Sequence, residues 1–269
     1  QHPAESKDSY ATRLGTTTLF GVFAETVHRL SAKFFTKPVI LDDNVPKQIE
    51  DLAEDIDGEN TALTPFMMKV VDRGFVDGIS YVFIDFPAVI AGSTLADQQA
   101  MKARPYWVHI CADNVLGWKT DLVNGQRVLS QFRYKELVDV SDPTSYDENI
   151  KERIRVLNRG GFEVWEKQIS NGVVTWNMIQ AGTTTWQDIL VVPVYINRVN
   201  YCQGLPPLRS LAELCQEHWN SSSEQRHALT LLRFAMLAIS GVPDQKAVDS
   251  IIIGPDRVTG VPPGGEAKY

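Results

Sequence analysis

From Leu208 to Ser240 the chain carries neither glycine nor proline, so nothing local stops a helix begun there from running the whole way. A helix of roughly 33 residues extends about 50 Å, several times the usual three turns, and works as a strut. Its side chains fall into three zones. Leu208, Leu211, Ala212, Leu214 and Cys215 make one apolar stripe, and Ala228, Leu231, Leu232, Ala235 and Ala238 make a second. Between them lies the polar patch Asn220-Ser221-Ser222-Ser223-Glu224-Gln225-Arg226. Two arrangements satisfy this pattern: one strut packed at both ends and wet in its middle, or two ordinary helices joined at the patch.

The rest of the chain reads as helices followed by strands. Apolar residues Leu19, Phe20, Phe23, Val27, Leu30 and Phe34 recur at helical spacing between Thr16 and Phe35, and Lys37-Pro38 ends that run. Asn44 to Ala53 forms a short helix with Ile49 and Leu52 inward. The acidic turn Glu54-Asp55-Ile56-Asp57-Gly58-Glu59-Asn60 leads to Thr61, and Leu63, Phe66, Met67, Val70 and Val71 mark an amphipathic helix that Gly74 and Gly78 close. Ile79 to Phe86 is the strongest strand signal, and Thr94 to Lys102 permits a helix in a surface excursion. Strands follow over Trp107–Cys111, Val115–Leu122, Arg127–Val138, Arg153–Leu157, Phe162–Ile169 and Val173–Ile179, with Asn124-Gly125 a tight hairpin signal. Pro193 within Ile189–Ile196 marks an edge strand. The order, with no internal repeat, predicts an α+β fold: helices plus an antiparallel β-meander, then a long helix and a small Gly/Pro-rich tail.

Composition narrows function mainly by exclusion. At 269 residues, 43% hydrophobic and 22% charged, the chain has the make-up of one large globular domain or two smaller ones. A net charge of −7 argues against a surface that grips phosphates, yet suits a wall past which a duplex slides. Three cysteines, Cys111, Cys202 and Cys215, show neither a disulfide framework nor zinc spacing and fit a reducing compartment. No apolar run is long enough to span a bilayer, so no membrane is expected. The chain starts without methionine and stops at Gly264-Gly265-Glu266-Ala267-Lys268-Tyr269, as a piece of something longer would.

No constellation of an enzyme stands out, and no cofactor or metal site is expected. The acidic turn lacks the glutamate that a calcium loop needs at its twelfth position, where Phe66 stands counting from Asp55. The five histidines have no zinc-binding spacing and read as surface or helix-face residues. Asp85, at a strand end, has the position of a catalytic carboxylate but lacks a partner acid nearby except Asp77; a hydrolase is the third-ranked reading. Tryptophans on the meander, Trp107, Trp118, Trp165, Trp176 and Trp186, suggest either a sugar-stacking surface or one buried sheet face. They carry the main alternative, a tail-associated carbohydrate-binding module.

Four groups of residues, in order, resemble a family of tailed-bacteriophage portal proteins once filed as a domain of unknown function. The first is Glu5-Ser6 with Tyr10, Arg13-Leu14 and the Phe20 to Phe35 helix. The second is Asp55-Ile56-Asp57-Gly58 with Leu63 and Phe66. The third is Ile84-Asp85-Phe86-Pro87 with Ala96, Arg104-Pro105-Tyr106 and Asn114-Val115-Leu116-Gly117-Trp118. The fourth is Leu211-Ala212-Glu213-Leu214, His218-Trp219 and Ser221-Ser222-Ser223-Glu224-Gln225, with Gly241 beyond.

The resemblance implies a homo-oligomeric ring of about twelve copies at one capsid vertex, a conduit and not an enzyme, assembled in the host cytoplasm and carried in the virion. Double-stranded DNA would pass through it without sequence specificity. The terminase, the major capsid protein and tail adaptor proteins would dock on it. It also implies a division into a wing over residues 1–203, a stem helix region over 204–241 and the start of a clip over 242–269. Ile251-Ile252-Ile253 would add a strand between subunits. On the stem, Glu213, Glu217, Glu224, Arg226 and Arg233 are the charged candidates for subunit contacts or the channel wall, with a solvated helix face the alternative for each.

Overall fold

Residues Ile79-Ser80-Tyr81-Val82-Phe83 offer no outward polar face, and in the computed structural model every one of them is buried. The structure describes residues 6–87, 103–144, 146–170, 172–233, 238–240 and 259–261. Among them are five α-helices: α1 (Lys7–Thr16), α2 (Val22–Phe34), α3 (Lys47–Ala53), α4 (Leu63–Asp77) and the long helix α5 (Arg209–Arg233). The strands are β1 (Ile79–Asp85), β2 (Tyr106–Cys111), β3 (Val115–Val123), β4 (Gln126–Asp139), β5 (Ile150–Asn158), β6 (Gly161–Ser170), β7 (Val173–Thr183), β8 (Val191–Tyr195), β9 (Arg198–Asn200), β10 (Gln203–Gly204), β11 (Ala238–Ser240) and β12 (Thr259–Val261). The fold is α+β with antiparallel sheets and a meander. Contacts divide the chain into two units, residues 26–209 and residues 1–25 with 210–269. This grouping differs from the division at residue 203, because residues 1–25 join the unit that holds the long helix.

The larger unit has three layers, and β1 is the middle one. It runs between β2 and β8 in a three-stranded antiparallel sheet. Ile79, Tyr81 and Phe83 face the five-stranded meander β3-β4-β5-β6-β7, where they meet Leu129, Phe132, Tyr134 and Leu157. Val82 faces the other way, to Phe66 and Val70 of α4 and to Ile56. A strand covered on both faces has no polar alternation, which explains why this run is the plainest strand signal. Tilted aromatic contacts join the sheets, with Tyr81 and Phe132 ring centres 5.3 Å apart and Phe83 and Tyr134 6.3 Å apart.

Two turns show why particular residues are required. Gly78 ends α4 at φ 82°, and a β-carbon there would meet the Leu205 backbone within 2.6 Å. Asn124 and Gly125, at φ 50° and 79°, form the mirror-image turn that matches strand twist in a tight hairpin. The proline-bearing strand β8 is an edge, as Pro193 predicts.

Three sequence expectations are corrected. The first amphipathic helix begins at Val22, not Thr16; Leu19 and Phe20 precede it and are exposed. An unpredicted helix, α1, lies upstream, started by Ser6, whose hydroxyl accepts the Ser9 amide at 3.1 Å. The long helix continues unbroken through its polar patch, which excludes the two-helix arrangement, but Ala238–Ser240 form a strand paired in parallel with Thr259–Val261. Its described length of 25 residues corresponds to about 38 Å. The expected helix at Thr94 to Lys102 and strand at Ile251 to Ile253 lie outside the described residues.

Candidate functional site

The polar patch of the long helix was expected to be wet, and most of it is exposed, but one serine within it is buried. Ser223 is 1% exposed, the one buried side chain among those described on α5, while Leu214 and Leu232 are 61% and 80% exposed. The segment holding α1 accounts for this. Arg13 donates from Nη1 to Ser223 Oγ at 2.8 Å, and the Thr17 hydroxyl lies 3.0 Å from the same oxygen and 2.5 Å from the Arg13 carbonyl. Each hydroxyl has one proton, so Thr17 donates to the carbonyl and Ser223 donates to Thr17 while accepting from Arg13. Every polar group in this clasp has a partner. Serine is small enough to let the second segment approach and still offers both roles.

Arg226 extends the seam. Its Nη1 donates to the Thr16 carbonyl at 3.1 Å, an oxygen at the end of α1 that the helix itself leaves without a partner. Phe20 and His218 close the other side, with ring centres 6.1 Å apart. The first and fourth sequence groups, about 210 residues apart in the chain, therefore form one clasp. Arg13 and Thr17 were not among the site candidates. The signal that points to them is Ser221-Ser222-Ser223 at the middle of a helix, where serine needs a specific partner to be buried.

Helix periodicity sets the opposite face. Leu214 and Leu232 are about five turns apart and lie on one line, while Ser223, midway, lies about half a turn out of phase. Ser221, Gln225 and Ala228 fall near the leucine line, so it carries no charge. Glu213, Glu217 and Glu224 share one flank, Glu217 and Glu224 being exposed. Arg226 lies on the other, with Arg233 seven residues on and so on the same side. The five charged candidates are thus separated by sign around the helix, and Arg226 is held within the chain.

In the larger unit the second and third sequence groups form another clasp. Arg104 meets Asp55 at 2.5 Å, Asp57 accepts the amides of Glu59 and Thr61, and the Ile56 carbonyl takes the Trp107 amide at 2.9 Å. Asp55 ties the acidic turn to the segment that leads into β2, and Asp57 holds the turn's own backbone. Asp85 has a structural setting too: Arg155 meets it at 2.6 Å and the Tyr106 hydroxyl donates to it at 3.1 Å. Burial and then Asp85 push the Tyr106 hydroxyl up to about 12. Burial works to lower the Arg155 pKa, but Tyr134 and Asp85 outweigh it and raise it, so this guanidinium stays charged.

His109 corrects the surface reading of the histidines. It stands on β2 with Nε2 2.6 Å from the hydroxyl of fully buried Ser80 and its ring edge-on to Phe66. Burial, then Lys69 and Arg73, lower its pKa to about 4, so it is neutral at pH 7. It lines an open cleft of about 640 Å³ with His28, Asp72, Arg73, Cys111 and Asp113. Ser80 has no surface from which to attack a substrate, and burial raises the Cys111 thiol, so neither is an activated nucleophile. Among the described residues no group of three or more His, Cys, Asp or Glu could hold a metal ion.

The tryptophans do not form one platform. Trp107 packs on Phe66 and Trp118 on the core between the sheets, while Trp186 is exposed on its own. Trp165 and Trp176 share the outer face of the meander through their pairings with Met178 and Lys167, and both are half-buried.

Over residues 207–269 the chain is similar to DUF4055, a domain of unknown function. The match takes in the long helix and the residues beyond it. No curated protein matches the chain. No described helix is long and apolar enough to cross a membrane.

Proposed function

We propose that this chain is a subunit of a portal ring, through which double-stranded viral DNA is packaged and ejected at one capsid vertex. The observation that carries the reading is the two-sided long helix. One line is clasped by α1, and the opposite line, with Leu214, Leu232 and nearby Leu229, is apolar and exposed. An apolar helix line left bare fits another protein surface better than water. The separation of Glu217 and Glu224 from Arg226 gives the two flanks opposite signs, as a head-to-tail ring needs two different complementary surfaces. The net charge of −7 suits a conduit that lets phosphates slide. The four sequence groups and the α+β meander with a long helix support the same reading. Terminase, major capsid protein and tail adaptors are the proposed partners.

Native mass spectrometry over a concentration series tests it. The expected result is a closed ring of about twelve copies, a size uncommon among soluble enzymes. Leu214→Lys with Leu232→Lys should reduce the ring to smaller species without loss of helix content. A chain that remains a monomer at every concentration would overturn the assignment.

A further inference from the structure

Residues 1–25 and 210–269 form the smaller unit, so its two parts come from opposite ends of the chain. A seat built this way recognises an arm by its side chains and not by which copy carries it. The seat on α5 is specific: Ser223 takes Arg13 and Thr17, Arg226 takes the Thr16 carbonyl, and the His218 ring meets Phe20.

The arm also lifts easily. Helix α1 buries no residue, and its hydrogen bonds to α5 exchange for bonds to water with little net change. At 10 residues it is marginal as a helix by itself, so it re-forms where it finds a seat. Residues 17–21, between α1 and α2, belong to neither helix and reach about 17 Å when extended. Leu19 and Phe20 on this link are 61% and 64% exposed while the arm lies on the α5 of its own chain.

We propose that α1 exchanges between copies of this chain, the arm of one copy seating on the α5 of a neighbour through the same Arg13, Thr16 and Thr17 contacts. The occupant follows from the seat, which is matched residue by residue to this arm. The seam bonds are equal in both states and do not decide between them. The link does: once it crosses from one copy to the other it places Leu19 between them, an apolar side chain that gains cover only in the exchanged state. Reciprocal exchange gives a dimer and head-to-tail exchange gives a ring, so the inference does not require the portal assignment.

The Thr17 and Ser223 hydroxyls are 3.0 Å apart, close enough for cysteines at both positions to form a disulfide. Full chains carrying Thr17→Cys alone and Ser223→Cys alone are mixed, concentrated and oxidised, so that a bond between the two positions forms only across chains. The expected result is a two-chain band on a non-reducing denaturing gel, containing a peptide pair joined through positions 17 and 223. It should exceed severalfold the band from either variant alone, for which Cys111, Cys202 and Cys215 set the background. The double variant, oxidised in dilute solution, should close within one chain, which checks that the seam folds with cysteines in place. Leu19→Lys should lower the two-chain yield severalfold and leave the intrachain bond unchanged. Absence of the joined peptides from the concentrated mixture would overturn the proposal and assign the arm to its own helix, and so would a yield that Leu19→Lys leaves unaltered. Rings without joined peptides count against the exchange alone, and joined pairs without rings count against the ring alone.

Discussion

The two units are held together by different physics. In the larger one, Phe132 and Val70 have no exposure and Tyr81 only 2%, and apolar contact fills the space between α4, the small sheet and the meander. In the smaller one, α1 buries no residue, and among the described side chains of the long helix the buried one is a serine. A fully buried large side chain contributes about 1.5–3 kcal/mol through area alone, whereas a hydrogen bond contributes about 1 kcal/mol net because water offers the same partners. A core-built unit opens all at once. A seam-built one can release its arm without losing the helix.

The largest expected effect lies in the core. Phe132→Ala should destabilise the larger unit by about 3–5 kcal/mol, because Tyr81 and Tyr134 are too constrained to fill the cavity. Urea denaturation followed by tryptophan fluorescence measures it. A loss under about 1 kcal/mol would mean the sheets are not joined by this contact, and the contrast between the units would collapse.

His109 sharpens the same comparison through pH. Its folded pKa, about 4, lies below the ordinary 6.5, so the unfolded chain takes up a proton first as pH falls. The stability is fully present above about 6.5 and is lost progressively as pH drops toward 4. Discounted for partial exposure, the loss is roughly 2 kcal/mol. Denaturation midpoints between pH 7 and 4 should fall more steeply in the unmodified chain than in His109→Gln. Equal slopes would show that the imidazole titrates freely and that burial beside Lys69 and Arg73 does not hold it neutral.

Legibility in the sequence divides along the same boundary. β1, α4 and the meander were legible because burial imposes periods of two and 3.6 residues and because Asn124-Gly125 and Pro193 have narrow backbone preferences. The seam was not legible, since hydrogen bonds between Arg13, Thr17 and Ser223 leave no periodicity and span about 210 residues. The start of α2 was placed too early because Leu19 and Phe20 continue the helical spacing without being buried. His109 was misread for a related reason: a neutral buried imidazole is recognised only from the neighbours that surround it. Of the five charged candidates on the long helix, Arg226 has a role within the chain that no spacing rule could supply.

The smallest expected effect is also the most discriminating. Ser223→Ala removes the acceptor of Arg13 and the donor to Thr17, but the Thr17 hydroxyl keeps the Arg13 carbonyl and the guanidinium can turn to water. The cost should be about 1 kcal/mol, felt as faster amide exchange over residues 7–18 with no change over residues 79–85. Arg226→Met should act on the same amides, since it leaves the Thr16 carbonyl without its donor. If either change instead lowered protection throughout β1, the arm and the core would belong to one cooperative structure.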